Sequence, residues 1–184
     1  MWYYLTTTIK KREHLIELKG SYQNMLRFFI LNIDNDMFIQ NAPLRGIAPE
    51  GFTDKLLLST DFLEEMLDIP IFSKRFVETL GHELQEYAEF YSCQIYLHGI
   101  GYPFYLARIK NCLSIIDEQK SGYRLLPNGN KIIDEPIIIK DGIDTNLLIV
   151  KDLEYPFIVV SESFKQMVKK AKLKIGFMPT YQMF

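Results

Sequence analysis

The sequence predicts an α+β fold, with a mostly antiparallel sheet and two or three flanking helices. Apolar runs rich in β-branched and aromatic residues follow one another in the second half of the chain, and Asn-Gly and Asp-Gly turns separate three of them. Strong helix-start signals occur at two places. Strands in runs, with helices set apart from them, are typical of the α+β class.

Size and composition indicate one soluble globular domain. The chain has 184 residues, of which 48% are hydrophobic and 24% are charged. A chain of this length buries about 68–70% of its unfolded surface on folding, so it can form a core without disulfides or metals. We therefore expect a single domain over residues 1–184. The aromatic share of 14% indicates either a packed core with tyrosines at its edges or an aromatic binding surface.

The first third of the chain predicts a strand, a loop and a short helix. The stretch "MWYYLTTTI" is rich in aromatic and β-branched residues, as strands are. The prolines and glycines of "NAPLRGIAPEGF" indicate a loop, and "DKLLLST" after it is a candidate short strand. The stretch "STDFLEEML" predicts a short helix that Ser59 or Thr60 would cap.

Two strand-to-helix junctions share the same spacing. "PIFSKRFVETL" starts at Pro70 and "PFIVVSESFKQMV" at Pro156, and each continues with an apolar run, a serine and a phenylalanine three residues later. A serine hydroxyl at a helix start accepts a free backbone N–H, so we expect helices to begin at Ser73 and Ser161. The repeated pattern has a simple local cause, since each helix begins where a strand ends.

Between the two junctions the sequence predicts several strands. The candidates are "YAEFYSCQIYL", "PFYLARI", "GYRLL", "EPIIIKD" and "NLLIV". We expect hairpins around Asn128-Gly129 and Asp141-Gly142, and a tight turn at "HGIGYP".

Charge and hydropathy argue against several classes of protein. The net charge of −2 is unlike that of most nucleic-acid binders, which are basic. No apolar stretch approaches about 20 residues, and the N-terminal residues lack the pattern of a signal peptide, so we expect a cytoplasmic protein without a membrane span. Cys93 and Cys112 lie in apolar stretches and are expected to be free, buried thiols.

No catalytic, cofactor or metal site is predicted. "HELQEYAEF" opens like a zinc-protease helix at His82, but Glu86 stands where the second histidine is required. The segment from Asp117 to Lys120 is expected to form a turn held by local charge pairing.

An enzyme remains an alternative, because catalytic triads assemble in space rather than in sequence. The residues that could form one are Ser73 or Ser161 with His98 and Asp117.

The last third of the chain has an acidic bias. The residues that carry the expected partner surface are Asp134, Glu135, Asp141 and Asp144. They are either the polar tips of hairpin loops or a patch that attracts a basic partner by electrostatic steering.

Three segments in order resemble a bacterial immunity-protein family of polymorphic toxin systems. They are "IPIFSKRFVETL", "YLARIKNCLSIIDEQKSGY" and "FIVVSESFKQMVKKAKLKIGFMP". The family is the immunity proteins of the eleven and forty-three kind, once described as a domain of unknown function. The matching positions are Asn111, Asp117, Glu118, Lys120, Ser121, Tyr123, Ser161, Phe164, Lys165 and the residues from Ile175 to Pro179.

The resemblance covers residues 69–179, and it implies a non-catalytic cytoplasmic protein that binds and neutralises a cognate toxin. It also implies an immunity-like core over 69–184, with residues 1–68 as an optional N-terminal lobe. The family's signature positions imply the fold rather than the toxin-binding surface. An unrecognised hydrolase-like enzyme and a non-catalytic structural or assembly module are the alternatives.

Overall fold

The computed structural model of the protein describes residues 1–10, 13–33, 43–134 and 136–180. It has the predicted α+β architecture, with two large sheets, a separate two-stranded ribbon and short helices beside them. Its strands are β1 (Trp2–Thr6), β2 (Glu17–Lys19), β3 (Leu44–Ile47), β4 (Phe62–Leu63), β5 (Ile71–Ser73), β6 (Ala88–Leu97), β7 (Ile100–Ile109), β8 (Cys112–Leu113), β9 (Gly122–Leu125), β10 (Lys131–Asp134), β11 (Ile149–Asp152), β12 (Ile158–Ser161) and β13 (Gly176–Pro179). Its helices are α1 (Tyr22–Met25), continued by a π-helical turn (Leu26–Ile30), α2 (Asp54–Leu57), α3 (Lys74–Leu80) and α4 (Glu162–Lys170).

The two large sheets are mixed but mostly antiparallel. The strand order is β2-β3-β6-β7-β5-β4 in the six-stranded sheet and β13-β1-β12-β11-β8 in the five-stranded sheet. The pairs β3–β6 and β8–β11 run parallel. β1 lies between β12 and β13, while β3 pairs with β6 in the other sheet. Residues 1–68 thus contribute strands to both large sheets.

Two of the predicted tight turns close hairpins. β6 and β7 pair along their full length, and His98 and Gly99 connect them with φ angles of 50° and 84°. Positive φ at both central residues is the geometry of a type I′ turn, which matches the twist of the strands it joins. Around Asn128-Gly129, β9 and β10 form the predicted hairpin as a ribbon hydrogen-bonded to neither large sheet.

The prediction of a hairpin around Asp141-Gly142 is wrong. A turn forms there, but Ile139 before it makes only an isolated bridge with Ile116, and β11 after it pairs with β12. The turn between β11 and β12 is stabilised by buried Asp152, whose carboxylate accepts the N–H groups of the two residues that follow Leu153. A turn dipeptide fixes local dihedral angles, whereas the burial of β11 selects its partner strand.

The helix prediction is confirmed at both serine junctions and wrong before them. Ser73 Oγ accepts the N–H of Phe76 at 3.0 Å, and Ser161 Oγ accepts that of Phe164 at 3.4 Å. The stretch predicted as a strand, "DKLLLST", instead contains helix α2, and "STDFLEEML" is not a helix but contains strand β4. Pairing of β4 with β5 overrides the local helix signal, because tertiary contacts outweigh weak propensities in short segments.

Three clusters of buried side chains form the core. The first lies between the six-stranded sheet and the π-helical turn, and the third lies beneath the two-stranded ribbon. The second contains residues of both large sheets together with α3 and α4. Its central aromatic residues are Phe72, Phe76 and Phe164, each no more than 1% exposed. The second cluster therefore joins the two sheets into one packed unit.

Candidate functional site

Three of the predicted partner-binding residues, Asp134, Asp141 and Asp144, lie in one region, here called the ribbon lobe. The ribbon lobe comprises residues 113–134 and 136–147, with β9 and β10 at its centre. The N–H of Gly122 donates to the carbonyl of Pro136 at 2.8 Å, and the N–H of Asp117 donates to the carbonyl of Ile138 at 2.8 Å. These bonds connect the ribbon to the turns beside it, so the lobe presents its side chains on a continuous frame.

Three of the four predicted acidic residues are exposed in the ribbon lobe, and Glu135 lies outside the described residues. Asp134 ends β10, and its carboxylate is 3.5 Å from Arg124 Nε. The carboxylate of Asp141 is 3.6 Å from Lys120 Nζ. Asp144 accepts the backbone N–H of Asn146 at 2.9 Å. The surface is therefore acidic but interleaved with basic groups rather than a bare negative patch.

The ribbon also exposes two large apolar side chains. Tyr123 is 57% exposed and Leu125 is 66% exposed. They are two residues apart in β9, so their side chains point to the same side of the ribbon. On that side, Lys131 Nζ lies 4.2 Å from the centre of the Tyr123 ring, a cation–π contact. Aromatic residues are enriched at the centre of protein interfaces, and charged residues lie mainly at the rim, so Tyr123 is a candidate centre with the charged groups around it.

The turn that precedes the ribbon is held by Asp117. Its carboxylate accepts the N–H groups of Gln119 at 3.1 Å and Lys120 at 3.2 Å. Lys120 Nζ is 3.2 Å from the same carboxylate, and it also reaches Asp141. Burial alone would raise the pKa of Asp117, but the hydrogen bonds and charge of Lys120 outweigh it and lower that pKa. The predicted local pairing in this segment is present.

The positions that carry the family resemblance have structural contacts. Ser121 is 6% exposed, and its hydroxyl accepts the N–H of Ile138 at 2.9 Å. Ser161 caps α4, and Phe164 is fully buried. The segment from Gly176 to Pro179 is β13, at the edge of the five-stranded sheet. Tyr123, another position of the resemblance, differs from these, because it is 57% exposed.

The residues considered for a catalytic triad lie in different parts of the fold. His98 is exposed in the turn between β6 and β7, and Asp117 belongs to the ribbon lobe. Ser161 is buried under the start of α4. Ser73 donates a hydrogen bond to the buried carboxylate of Asp61 at 2.6 Å. The described hydrogen bonds therefore use these serines as structural groups and join neither of them to His98.

Asp61 connects the two halves of the chain. Its carboxylate, 2% exposed, accepts bonds from Ser73, from the Arg75 guanidinium and from the backbone N–H of Lys174 at 2.6 Å. Burial tends to raise the pKa of Asp61, but the bond from Arg75, followed by those from Lys174 and Ser73, reverses that effect and lowers the pKa. Asp61 is thus a charged anchor for α3 and for the segment before β13.

The sequence interpretation missed a cavity between the ends of the two large sheets. It has a volume of about 300 Å³. Apolar side chains form most of its wall. They include Leu5 of β1, Phe62 of β4 and Met178 of β13, with Phe157 just before β12. Three carboxyl groups of the loop after β4 complete the wall, those of Glu64, Glu65 and Asp68. The sequence predicts a short helix over "STDFLEEML", which contains Glu64 and Glu65, and this prediction does not bring the three carboxyl groups to a cavity.

The cavity carboxyl groups differ in their surroundings. Glu64 accepts the backbone N–H of Thr7 at 2.6 Å, and its other oxygen lies 2.7 Å from His14 Nε2. Glu65 is 5% exposed and accepts the N–H groups of Leu67 and Ile69 at 2.8 and 2.5 Å. Burial raises the pKa of Glu65 to about 7, although these two bonds oppose the shift.

Asp68 is accessible to solvent at the cavity. No hydrogen bond or ion pair joins its side chain to another described residue. Nearby protein atoms displace bulk water from its surroundings, and this partial burial, followed by repulsion from Glu64, raises the pKa of Asp68. Its backbone has a φ of 59°, a left-handed conformation that Asp and Asn tolerate better than most residues.

Other features bear on binding and chemistry. Over the described ranges, no three His, Cys, Asp or Glu side chains are placed to hold a metal ion together. In that same part of the chain, every helix is too short or too polar to cross a membrane.

Cys93 and Cys112 are free thiols, as predicted, but only Cys93 is fully buried, and burial raises its pKa to about 12. Cys112 is half-buried, with its sulfur 3.2 Å from the side-chain nitrogen of Asn32.

No protein-family model matches the chain, and no curated protein matches its sequence. The relation to the immunity-protein family therefore stays a prediction made from the motifs.

Proposed function

We propose that this protein is an immunity protein that binds and neutralises a cognate bacterial toxin domain in the cytoplasm, without catalysis. The observation that supports the proposal best is the exposed face of the ribbon lobe. Tyr123 and Leu125 form its apolar part, and Asp134, Asp141 and Asp144 are exposed acidic groups of the same lobe. The motif resemblance supplies the class of partner, and the ribbon lobe supplies a surface suited to it.

An interface of this kind combines an anchor with electrostatic steering. Tyrosine loses little conformational entropy on binding and is enriched among the residues that contribute most binding energy. Acidic groups around such an anchor raise the rate of association with a basic toxin. A stable complex would bury about 1,600 Å² in total, which exceeds the area of Tyr123 and Leu125 alone. The turns at 117–121 and 140–147 would therefore take part in the contact.

The local ion pairs set the size of the electrostatic effect. Arg124 and Lys120 offset part of the negative charge of Asp134 and Asp141. Exposed pairs of this type are worth about 0–1 kcal/mol each, so a strongly basic partner can replace them at small cost. We therefore expect a moderate, salt-dependent gain in association rate, with most of the affinity coming from the aromatic anchor.

The test is charge reversal within the lobe, with a matched control. One variant carries Asp134→Lys, Asp141→Lys and Asp144→Lys. The control carries Glu50→Lys, Glu83→Lys and Glu86→Lys, which are exposed elsewhere and change the net charge equally. The partner is the toxin encoded by the neighbouring gene, and association rates are measured at low and high salt.

The lobe variant should associate about tenfold more slowly than the control at low salt, and the difference should shrink at high salt. Equal rates for the two variants would exclude the acidic residues as the steering surface. If the unmodified protein forms no complex and gives no protection from the toxin, the immunity function itself is refuted.

A further inference from the structure

The cavity beside Glu65 has the form of a small ligand site. Its volume of about 300 Å³ is at the lower end of the range for ligand pockets. Most of its wall is apolar, while its polar groups are concentrated on the loop between β4 and β5. An apolar enclosure with a few grouped polar side chains is the usual arrangement of a site that binds a small organic molecule. Four strands and the loops beside them form the wall, and the acidic loop adds the apolar side chains of Ile69 and Pro70 to it.

We propose that this cavity binds an organic cation, an ammonium or guanidinium group carried on a short aliphatic chain. The ribbon lobe contributes one residue, Ile137, to the lining, while the three carboxyl groups lie on the loop between β4 and β5. The apolar walls would contact the aliphatic chain, and the carboxylate of Asp68 would receive the hydrogen bonds of the cationic head.

The charged side chains that line the cavity indicate that its ligand is positively charged. Glu64, Glu65 and Asp68 line the cavity, and none of the described lining residues is Lys or Arg. His14 is next to Glu64 and supplies the nearest described basic group. Glu64 and Glu65 already accept backbone N–H groups, so their role is to add negative charge to the site. The carboxylate oxygens of Asp68 are available to accept hydrogen bonds from a ligand. A cationic head with N–H donors fits this combination.

An organic cation fits better than a bare metal ion. The described carboxyl groups do not converge in a metal-ligating arrangement. An aliphatic chain of four carbons would also cover the apolar wall formed by Leu5, Phe62 and Phe157, which a metal ion leaves exposed.

Binding should become tighter as the pH rises. A cation favours the ionised carboxylates, so it must displace protons from groups that hold them more strongly than usual. Burial raises the pKa of Glu65 to about 7 and raises that of Asp68 as well. The other titratable groups at the cavity are Glu64, His14 and Tyr4. A protonated His14 would repel the ligand at low pH, so its effect has the same sign.

The experiment is an NMR titration of the full chain with defined probes. The charged probes are n-butylammonium and n-butylguanidinium, and the neutral probe is n-butanol. A fourth probe is N-acetyl-lysine methylamide, which presents the same ammonium as a protein side chain. Saturable binding of a charged probe, at least about tenfold tighter than n-butanol and tighter at pH 8 than at pH 5.5, supports the proposal.

The fourth probe distinguishes the two sources of the cation. If the lysine derivative binds as tightly as n-butylammonium, the cavity accepts a side chain of another protein. If only the free amine binds, the ligand is a small molecule. Either result requires saturable binding in the cavity, and both agree with the proposal.

Two variants and a control localise the site. Asp68→Asn keeps the size of the side chain and tolerates the left-handed backbone, and it should weaken binding of the charged probes by about tenfold. Leu15→Trp narrows the cavity at a residue that is 44% exposed, so it should reduce binding without disturbing the core. Glu83→Gln removes an exposed carboxylate elsewhere and should have no effect. Absence of saturable binding, or equal binding by Asp68→Asn and the unmodified protein, would overturn the proposal.

Discussion

The rings of Phe76 and Phe164 lie 6.2 Å apart, centroid to centroid, in the core between the two large sheets. Each phenylalanine stands three residues after the serine that caps its helix, and each donates its backbone N–H to that serine. The two similar junctions of the sequence therefore meet in space. One junction follows a strand of the six-stranded sheet and the other follows a strand of the five-stranded sheet, so the contact connects both.

The first prediction concerns this aromatic contact. Both side chains are fully buried, so Phe76→Leu and Phe164→Leu should each reduce the free energy of unfolding by about 1–3 kcal/mol. Because the rings are neighbours, the double variant should lose less than the sum, with a coupling of about 0.5–1.5 kcal/mol. Urea denaturation of the four proteins measures the cycle. Strict additivity would mean that the two junctions are energetically independent.

The second prediction compares the two capping serines. Ser161→Ala removes one N-cap bond and should destabilise the protein by about 1 kcal/mol. Ser73→Ala removes a similar bond and also the hydrogen bond to buried Asp61, so it should cost about 2–3 kcal/mol. Thermal or urea unfolding of both variants checks the ranking. A Ser161→Ala variant as unstable as Ser73→Ala would contradict the stabilising role given to Asp61.

Local chemistry is what the sequence predicted well. Features that depend on neighbouring residues are all present. They are the two serine caps, the Asn128-Gly129 hairpin and the turn at His98 and Gly99. Errors occurred where distant contacts decide the outcome. The Asp141-Gly142 turn closes no hairpin because β11 pairs with β12. The predicted helix over "STDFLEEML" is absent because Phe62 and Leu63 pair with β5 instead.

At the candidate sites, too, local features could be predicted from the sequence and features that depend on distant contacts could not. The exposure of Asp134, Asp141 and Asp144 could be predicted from polar turn residues. Their pairing with Lys120 and Arg124 could not, because it depends on how the turns pack against the ribbon. The cavity was not predictable, since its walls come from strands at opposite ends of the chain.

The third prediction is a pH effect from Glu65. Its pKa is about 7 in the folded protein against 4.5 for a free side chain, so the unfolded chain loses the proton first as pH rises. The contribution of Glu65 to the free energy of unfolding should therefore fall by about 3 kcal/mol as the pH rises from about 4.5 to 7. Above pH 7 that contribution should stay constant. Glu65→Gln cannot ionise, so it should remove this slope.

Chemical denaturation from pH 5 to pH 8 measures the difference between the two proteins. The Glu65→Gln variant should be less stable than the unmodified protein at pH 5, because the two backbone N–H groups point at different carboxyl oxygens and the amide nitrogen that replaces one of them cannot accept. That deficit should shrink or reverse by pH 8. Glu83→Gln, at an exposed position, serves as the control and should leave the slope unchanged. A parallel pH profile for Glu65→Gln would show that Glu65 ionises normally.

The fourth prediction assigns the binding energy of the ribbon lobe to one side chain. Tyr123→Ala should weaken toxin binding by about 2 kcal/mol or more, mainly through faster dissociation. Tyr22→Ala is the matched control, since that tyrosine is 61% exposed outside the lobe. Surface plasmon resonance with the toxin domain separates the two rates. Similar affinities for the two variants would remove Tyr123 as the anchor.

Hydrogen–deuterium exchange of the protein, alone and in complex with the toxin of the neighbouring gene, tests the central claim most directly. On binding, we expect slower exchange for the backbone amides of residues 117–134 and 136–147, with little change in the β6–β7 hairpin. A stable complex whose protected amides lie outside the ribbon lobe would contradict the proposed surface. Failure of the pure proteins to form any complex would contradict the immunity function.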